Sequence, residues 1–297
     1  MVKQSIIDDI VGVLTSLKDI NLITKKELRS LLGKLNHAAG LLIVMRPFLD
    51  PLWAAWGSPS PKGKPNMVWI ARIQTELAWF RSFFLGKGVS IERFFSLSAF
   101  HRTGTVVEIG TDASPWGLGG WLSVDGAITA CFASQLTAHD SEKFGIPLAD
   151  AKGQQVWEAL AILVAVVLWS QAWQQDRIIL KVKADNVTAL TLLVKMRPSP
   201  STAHARQLAL ISRELALHLV DLSFPPDAAH IPGVGHIFAD ALSRVFAPTG
   251  KGKITPDLHP ALVTARVDEA PARDKSFHRI TNFDNPASQI PPAAEEV

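Results

Sequence analysis

The sequence predicts an α/β fold in which helices cover a mixed sheet, and three observations carry that expectation. After residue 105 the patterns run in a fixed order: three apolar or β-branched stretches, a long apolar helix, a fourth strand, two helices, a fifth short strand and a last helix. Asp125-Gly126 separates the second and third stretches and is a strong hairpin signal. A hydrophobic content of 47% over 297 residues is ample for a packed core.

The chain opens with a segment (residues 1–100) that reads as small and all-helical. A first amphipathic helix turns Ile6, Ile10, Val13, Leu14 and Leu17 inward. Thr24 with Glu27 three residues on makes a capping box, and Leu28, Leu31, Leu32, Leu35 and Leu42 follow on one face until Pro47 ends the pattern. The stretch GSPSPKGKPN (57–66) is a break, and Ile70, Ile73, Leu77 and Phe80 then suggest a further helix closing near Gly86. Lys25, Lys26, Arg29 and Lys34, then Arg72, Arg81, Lys87 and Arg93, outnumber the acids among them. Solvated helix faces are the plainer reading of these cations, and a nucleic-acid track is the alternative.

Residues 105–246 supply the α/β elements. VVEIGTDAS (106–114) is a β-branched run ending in an acid, and WGLGGWLSVDGAITACFAS carries the hairpin. A helix follows from Val156 to about Trp173. Its apolar stretch Ala159–Trp169 is about half the roughly 20 residues a membrane span needs, so it reads as a buried helix and no membrane partner is expected. IILKVKA (178–184) is the fourth strand, helices start near Asn186 and Ala203, and after Pro225-Pro226 the strand AAHIP leads into the helix that bears Asp240. Between the third strand and the long helix lies a connection from Thr137 to Gln155. Beyond about Pro248 the mixture of Pro, Ala and charges predicts a disordered tail (247–297).

Composition narrows the function classes. A net charge of +3 permits a nucleic-acid partner without indicating one. The single cysteine, Cys131, excludes an internal disulfide framework and fits a reducing compartment; with no apolar h-region near the start, a secretory signal is not expected. The chain has no tyrosine, which excludes a tyrosine nucleophile.

Four acids stand where an α/β fold gathers chemistry. Asp112 ends the first strand, Glu158 opens the long helix, Asp185 ends the fourth strand, and Asp240 sits on the last helix four residues after His236. Each alone has a structural explanation, as a turn residue, a cap, a first-turn acid or a solvated carboxylate. Yet Asp240 lies among Ala239, Ala241 and Leu242, and Glu158 follows Trp157 and precedes an apolar run, and acids so placed tend to be paired, protonated or metal-bound. If the four converge, within about 6 Å of a common point, cations must offset their repulsion. An all-oxygen donor set suits Mg²⁺ or Mn²⁺ rather than Zn²⁺, and two such ions serve phosphodiester hydrolysis.

The segments TDASPWGLGG (111–120), WEALAIL (157–163), KADNVTAL (183–190) and HIPGVGHIFADALSR (230–244), in that order, resemble the ribonuclease H domain of retroelement reverse transcriptases. ITKKELRSLLGKLNHAAGLLIVMRPFLDPLW (23–53) resembles the segment joining polymerase thumb to ribonuclease H in the retrotransposon and pararetrovirus members. The resemblance implies a ribonuclease H-like five-stranded mixed sheet and a two-metal hydrolase cleaving the RNA strand of RNA/DNA hybrids. It assigns Asp112 to both ions, Glu158 and Asp185 to the catalytic ion, and Asp240 to the second. It implies substrate contacts at Gly117, Gly119, Gly120, Asn186 and His236. For the glycines a turn with hairpin twist is an equal alternative, for Asn186 a helix cap is preferred, and for His236 a hydrogen bond to Asp240 is preferred. It further implies a polymerase partner from the missing part of a reverse transcriptase, since without tyrosine the Tyr-x-Asp-Asp motif cannot be present, and a cytoplasmic, nuclear or element-particle location. A catalytically inactive hybrid-binding module and an integrase or transposase of the same fold are the competing readings.

Overall fold

Thr24 starts a long helix as its spacing to Glu27 predicts: the Thr24 hydroxyl accepts from the Glu27 amide, and the Glu27 carboxylate accepts from the Thr24 amide. The computed structural model describes residues 2–85, 97, 101, 103–173, 178–199, 202–219, 226–274 and 276–278. Gly86, Lys87, Arg93, Pro225 and everything past 278 fall outside them. The chain forms two compact units, Met1–Phe94 with Arg279–Val297, and Phe95–His278.

The first unit contains α1 (Gln4–Ser16), β1 (Leu22–Thr24), α2 (Lys25–Leu41), α3 (Leu49–Gly57), β2 (Met67–Trp69) and α4 (Gln74–Phe84). It is not all-helical, because β1 and β2 pair antiparallel with Leu22 opposite Trp69. Strands of three residues are too short to show a period. The leucine face of α2 is buried as expected, while α1 turns Ile7 inward in place of Ile6. Three of the cations have structural partners: Lys25 donates to the Ser58 carbonyl at 2.7 Å, Arg29 lies over the Trp56 ring, and Lys34 pairs with Asp9.

The second unit begins with an antiparallel meander, β3 (Thr105–Ala113), β4 (Gly117–Val124) and β5 (Ala127–Gln135). Asp125 and Gly126 turn the second hairpin with φ of 48° and 86°, the left-handed pair a tight hairpin needs. Next come α5 (Ala138–Phe144), α6 (Gln154–Leu168), β6 (Ile178–Ala184), α7 (Val187–Lys195), α8 (Ala205–His218), β7 (Asp227–His230), α9 (Ile237–Ser243) and β8 (Arg266–Val267). The sheet order is β7-β6-β3-β4-β5-β8, with the β3–β6, β6–β7 and β5–β8 pairs parallel. This is a mixed α/β architecture consistent with a ribonuclease H-like fold, with a sixth strand beyond the five expected.

Helix α6 is buried from Val156 to Val166 and packs against β3, β4, α7 and α8, so its apolar run serves the core. The stretch Ala151–Leu168, which includes α6, is by length and composition alone able to cross a membrane, but 67% of it is buried inside the fold. Packed on β3 and β4 is also α9, and what extends that layer is the stretch expected to be a disordered tail. Leu262, with Ile254, Leu258, Ala261 and Ala265, packs on Cys131, Phe238 and Leu242. His259 stacks on Phe238 at 4.5 Å, and the Asp268 amide donates to the Cys131 carbonyl. Up to His278, then, the tail is largely part of the described fold. The connection 137–155 holds α5, capped by Thr137 and Asp140.

Candidate metal centre

β3 and β6 run side by side until Gly110 faces Lys183, and there their pairing stops. Asp112 lies just past that point on β3, and Asp185 immediately follows the last residue of β6. Glu158 comes from one turn inside α6. One carboxylate oxygen from each of these three lies within 4.8 Å of the other two. Asp112 and Glu158 are only 4% and 2% exposed, whereas Asp185 is half-buried.

Burial pushes the Asp112 carboxyl up to about 6; the charges of Asp185 and Asp240 add to the rise, while Ser243 and His236 oppose it. Burial likewise raises the Glu158 carboxyl well above the usual range, helped by the charges of Asp112 and Asp185. Supporting hydrogen bonds hold both. Ser243 Oγ donates to Asp112 Oδ2 at 2.6 Å, and Gln154 Nε2 donates to Glu158 Oε1 at 2.8 Å while also reaching the Ala113 carbonyl. His230 Nε2 lies 2.9 Å from the Asp185 carbonyl oxygen, tying that residue's backbone to β7.

Asp240 stands apart from this group of three. Its side chain is 42% exposed and accepts from Arg244 Nε at 2.6 Å, an i,i+4 pair on α9. His236 is not bonded to the Asp240 carboxylate, contrary to expectation; it is buried, with Nε2 2.7 Å from the Thr111 carbonyl oxygen. Beyond Gly110 β3 has lost β6 as a neighbour, and the imidazole meets the backbone carbonyl left over. Asn186 caps α7, its Oδ1 accepting from the Ala189 amide at 3.1 Å.

Gly117, Gly119 and Gly120 lie on β4, buried, and packing accounts for them. A Cβ on Gly119 would come within 2.4 Å of the Ser243 nitrogen, one on Gly117 within 2.9 Å of the Ser243 carbonyl oxygen, and one on Gly120 within 2.6 Å of the Phe132 ring. They admit α9 and Phe132 against the sheet. Ser243, Gln154 and Arg244 were not among the residues singled out in the sequence. Arg244 carried a signal there, four residues after Asp240; the other two carried none.

Solved structures similar to this chain include the following two. One is the crystal structure of RNase H1 from the halophilic archaeon Halobacterium salinarum NRC-1, 16% identical, covering 47% of this chain and 96% of that one at a TM-score of 0.32. The other is a foamy viral protease-reverse transcriptase dRH in complex with ds DNA, 15% identical, covering 72% of this chain and 38% of that one at a TM-score of 0.26. No protein-family model and no curated relative matches the sequence.

The chemistry of the three carboxylates fits a divalent cation. All donors are hard oxygens, and Glu158 Oε2 is buried with no hydrogen-bond partner among the described residues. A buried carboxylate oxygen without a donor is costly unless it is protonated or faces a cation.

Proposed function

We propose that the chain is a divalent-cation-dependent endoribonuclease that cleaves the RNA strand of RNA/DNA hybrids, and that it is the C-terminal part of a retroelement reverse transcriptase. The observation that carries this reading is the convergence of Asp112, Glu158 and Asp185, with Glu158 Oε2 buried and unpartnered among the described residues. Those three would hold Mg²⁺, or Mn²⁺ in its place, and Asp240, now paired with Arg244, would supply a further ligand to a second ion. When bound, the cations supply activated water and offset charge developing on the scissile phosphate.

The protein's own groups orient and exclude. Ser243 and Gln154 fix the rotamers of Asp112 and Glu158, His236 and His230 tie down the backbone at Thr111 and Asp185, and α6 seals the buried side of the site against water. Hybrid recognition would rest on backbone shape and 2′-hydroxyls, giving weak sequence preference. The first unit would join the site to a polymerase partner.

The test is cleavage of an end-labelled RNA/DNA hybrid with and without Mg²⁺. Asp112→Asn and Asp185→Asn should each abolish cleavage while the protein stays folded. Cleavage surviving both substitutions overturns the reading. Cation-independent hybrid binding without cleavage would mark a binding module, and joining of DNA strands would mark an integrase or transposase.

A further inference from the structure

Resting on that reading, we infer that Ser243 is a positioning residue for Asp112, and that Gly119 is glycine so that Ser243 can reach it. Gly119 on β4 stands directly opposite Asp112 on β3. In an antiparallel pair, opposed side chains sit about 5 Å apart on one face of the sheet, so a side chain at 119 would occupy the space beside the Asp112 carboxylate. With no side chain there, the end of α9 lies on the β4 backbone. The position a Cβ would take at 119 is 2.4 Å from the Ser243 nitrogen and 2.6 Å from the Leu242 carbonyl carbon. Leu242 and the Ser243 backbone thereby fill the vacant place, and from there the Ser243 hydroxyl donates to Asp112 Oδ2 at 2.6 Å.

The hydroxyl has one proton and two acceptors in range, Asp112 Oδ2 at 2.6 Å and the Asp240 carbonyl at 3.0 Å. The shorter contact is to the group that can be charged, and charge-assisted bonds are the stronger kind. Ser243 is itself pinned, because Ser114 Oγ donates to its carbonyl at 2.7 Å and it is fully buried. Ser114 is two residues past Asp112 on the same strand end. The serine is thus held by the segment it orients, and the loop of contacts closes: Asp112, Ser243, Ser114. Committing Oδ2 to the serine fixes the carboxylate and would leave Oδ1, to which no hydrogen bond is made among the described residues, available to a cation. Asp240 lies three residues earlier on α9, so one short helix would carry both a ligand and the clamp on another ligand.

The test uses the full chain and Mn²⁺ alone, titrated by calorimetry without nucleic acid. Ser243→Ala should weaken Mn²⁺ binding by about 10- to 100-fold, the range seen when partners behind metal ligands are removed. Its thermal unfolding should remain cooperative. Ser243→Cys keeps the volume and a weaker donor; its affinity should fall between the two, and it carries the test where the alanine variant does not fold. In hybrid cleavage, the turnover of Ser243→Ala should recover toward that of the unsubstituted protein as Mn²⁺ is raised, which a general packing defect would not do. Folded Ser243→Ala that binds Mn²⁺ normally, beside Asp112→Asn that does not, overturns the role of Ser243 and leaves the metal reading standing. An unsubstituted chain that binds no Mn²⁺ overturns both.

Discussion

The guanidinium of Arg273 grips the carboxylate of Asp140 in two places, Nε on Oδ1 and Nη2 on Oδ2, each at 2.9 Å. Both groups are buried, at 3% and 0% side-chain exposure, and Arg273 also donates to Ser134 Oγ at 2.6 Å and to the Gln135 carbonyl. Arg273 thereby fastens the described part of the tail to α5 and to the last two residues of β5. Breaking a buried pair by removing one partner leaves the other charge stranded, which costs about 3–5 kcal/mol. Arg273→Ala should therefore lower unfolding free energy by that amount in denaturant titration. Ending the chain after Ala247 should cost more, because Leu262 and its neighbours then leave Cys131, Phe238 and Leu242 uncovered.

Cys131 reports on the same layer without a substitution. It is fully buried, and burial pushes its thiol up to about 11. Since the thiolate is the reactive form, the folded chain should resist an aromatic disulfide reagent at pH 8. Arg273→Ala should speed the modification of Cys131, and equal rates in the two proteins would show that Arg273 does not hold the covering layer in place.

Asp112 sets a pH dependence whose sign follows from its environment. Its carboxyl is raised from 3.8 to about 6 in the folded protein without metal, so the folded state holds that proton more tightly than the unfolded state. The corresponding stability is fully present below pH 4 and is lost as pH rises through about 6, on the order of 2–3 kcal/mol; Glu158 acts in the same direction. Through this site, metal-free protein should then melt at lower temperature at pH 8 than at pH 5. Adding Mg²⁺ or Mn²⁺ should raise the melting temperature more at pH 8, where the carboxylates are ionised. Asp112→Asn should flatten both effects in the same scans.

Gly119→Ala separates packing from substrate contact. The added methyl meets backbone atoms of Leu242 and Ser243, which cannot swing aside as a side-chain tip could. A loss of about 1–3 kcal/mol of stability should accompany any loss of cleavage. If stability is unchanged while hybrid affinity alone falls, Gly119 serves the substrate and not α9.

The parts legible in the sequence are those with a period or a paired signal. The Thr24–Glu27 box, the leucine face of α2, the Asp125-Gly126 hairpin and the α6 run each write their structure into adjacent residues. Asp112, Glu158 and Asp185 were legible because strand ends and an apolar helix are poor places for an unassisted acid. The tail was not, because scattered apolar residues around Leu262, one arginine and a two-residue strand hold it, and none of these makes a period. The purpose of Gly119 and the partner of His236 were hidden for a related reason: each depends on a contact with residues more than a hundred positions away.

β8 has a consequence beyond the fold of one chain. Its two residues, Arg266 and Val267, pair with Ala130 and Cys131 in the middle of β5. Without them β5 would be an outer strand with unpaired amides beside the apolar sequence Ala-Cys-Phe-Ala, a ready template for a second copy of the same strand. The short strap, flanked by the charges of Arg266 and Asp268, blocks that pairing while being too short to offer a new edge. Protection of that edge is thus entrusted to a stretch that composition alone would mark as dispensable.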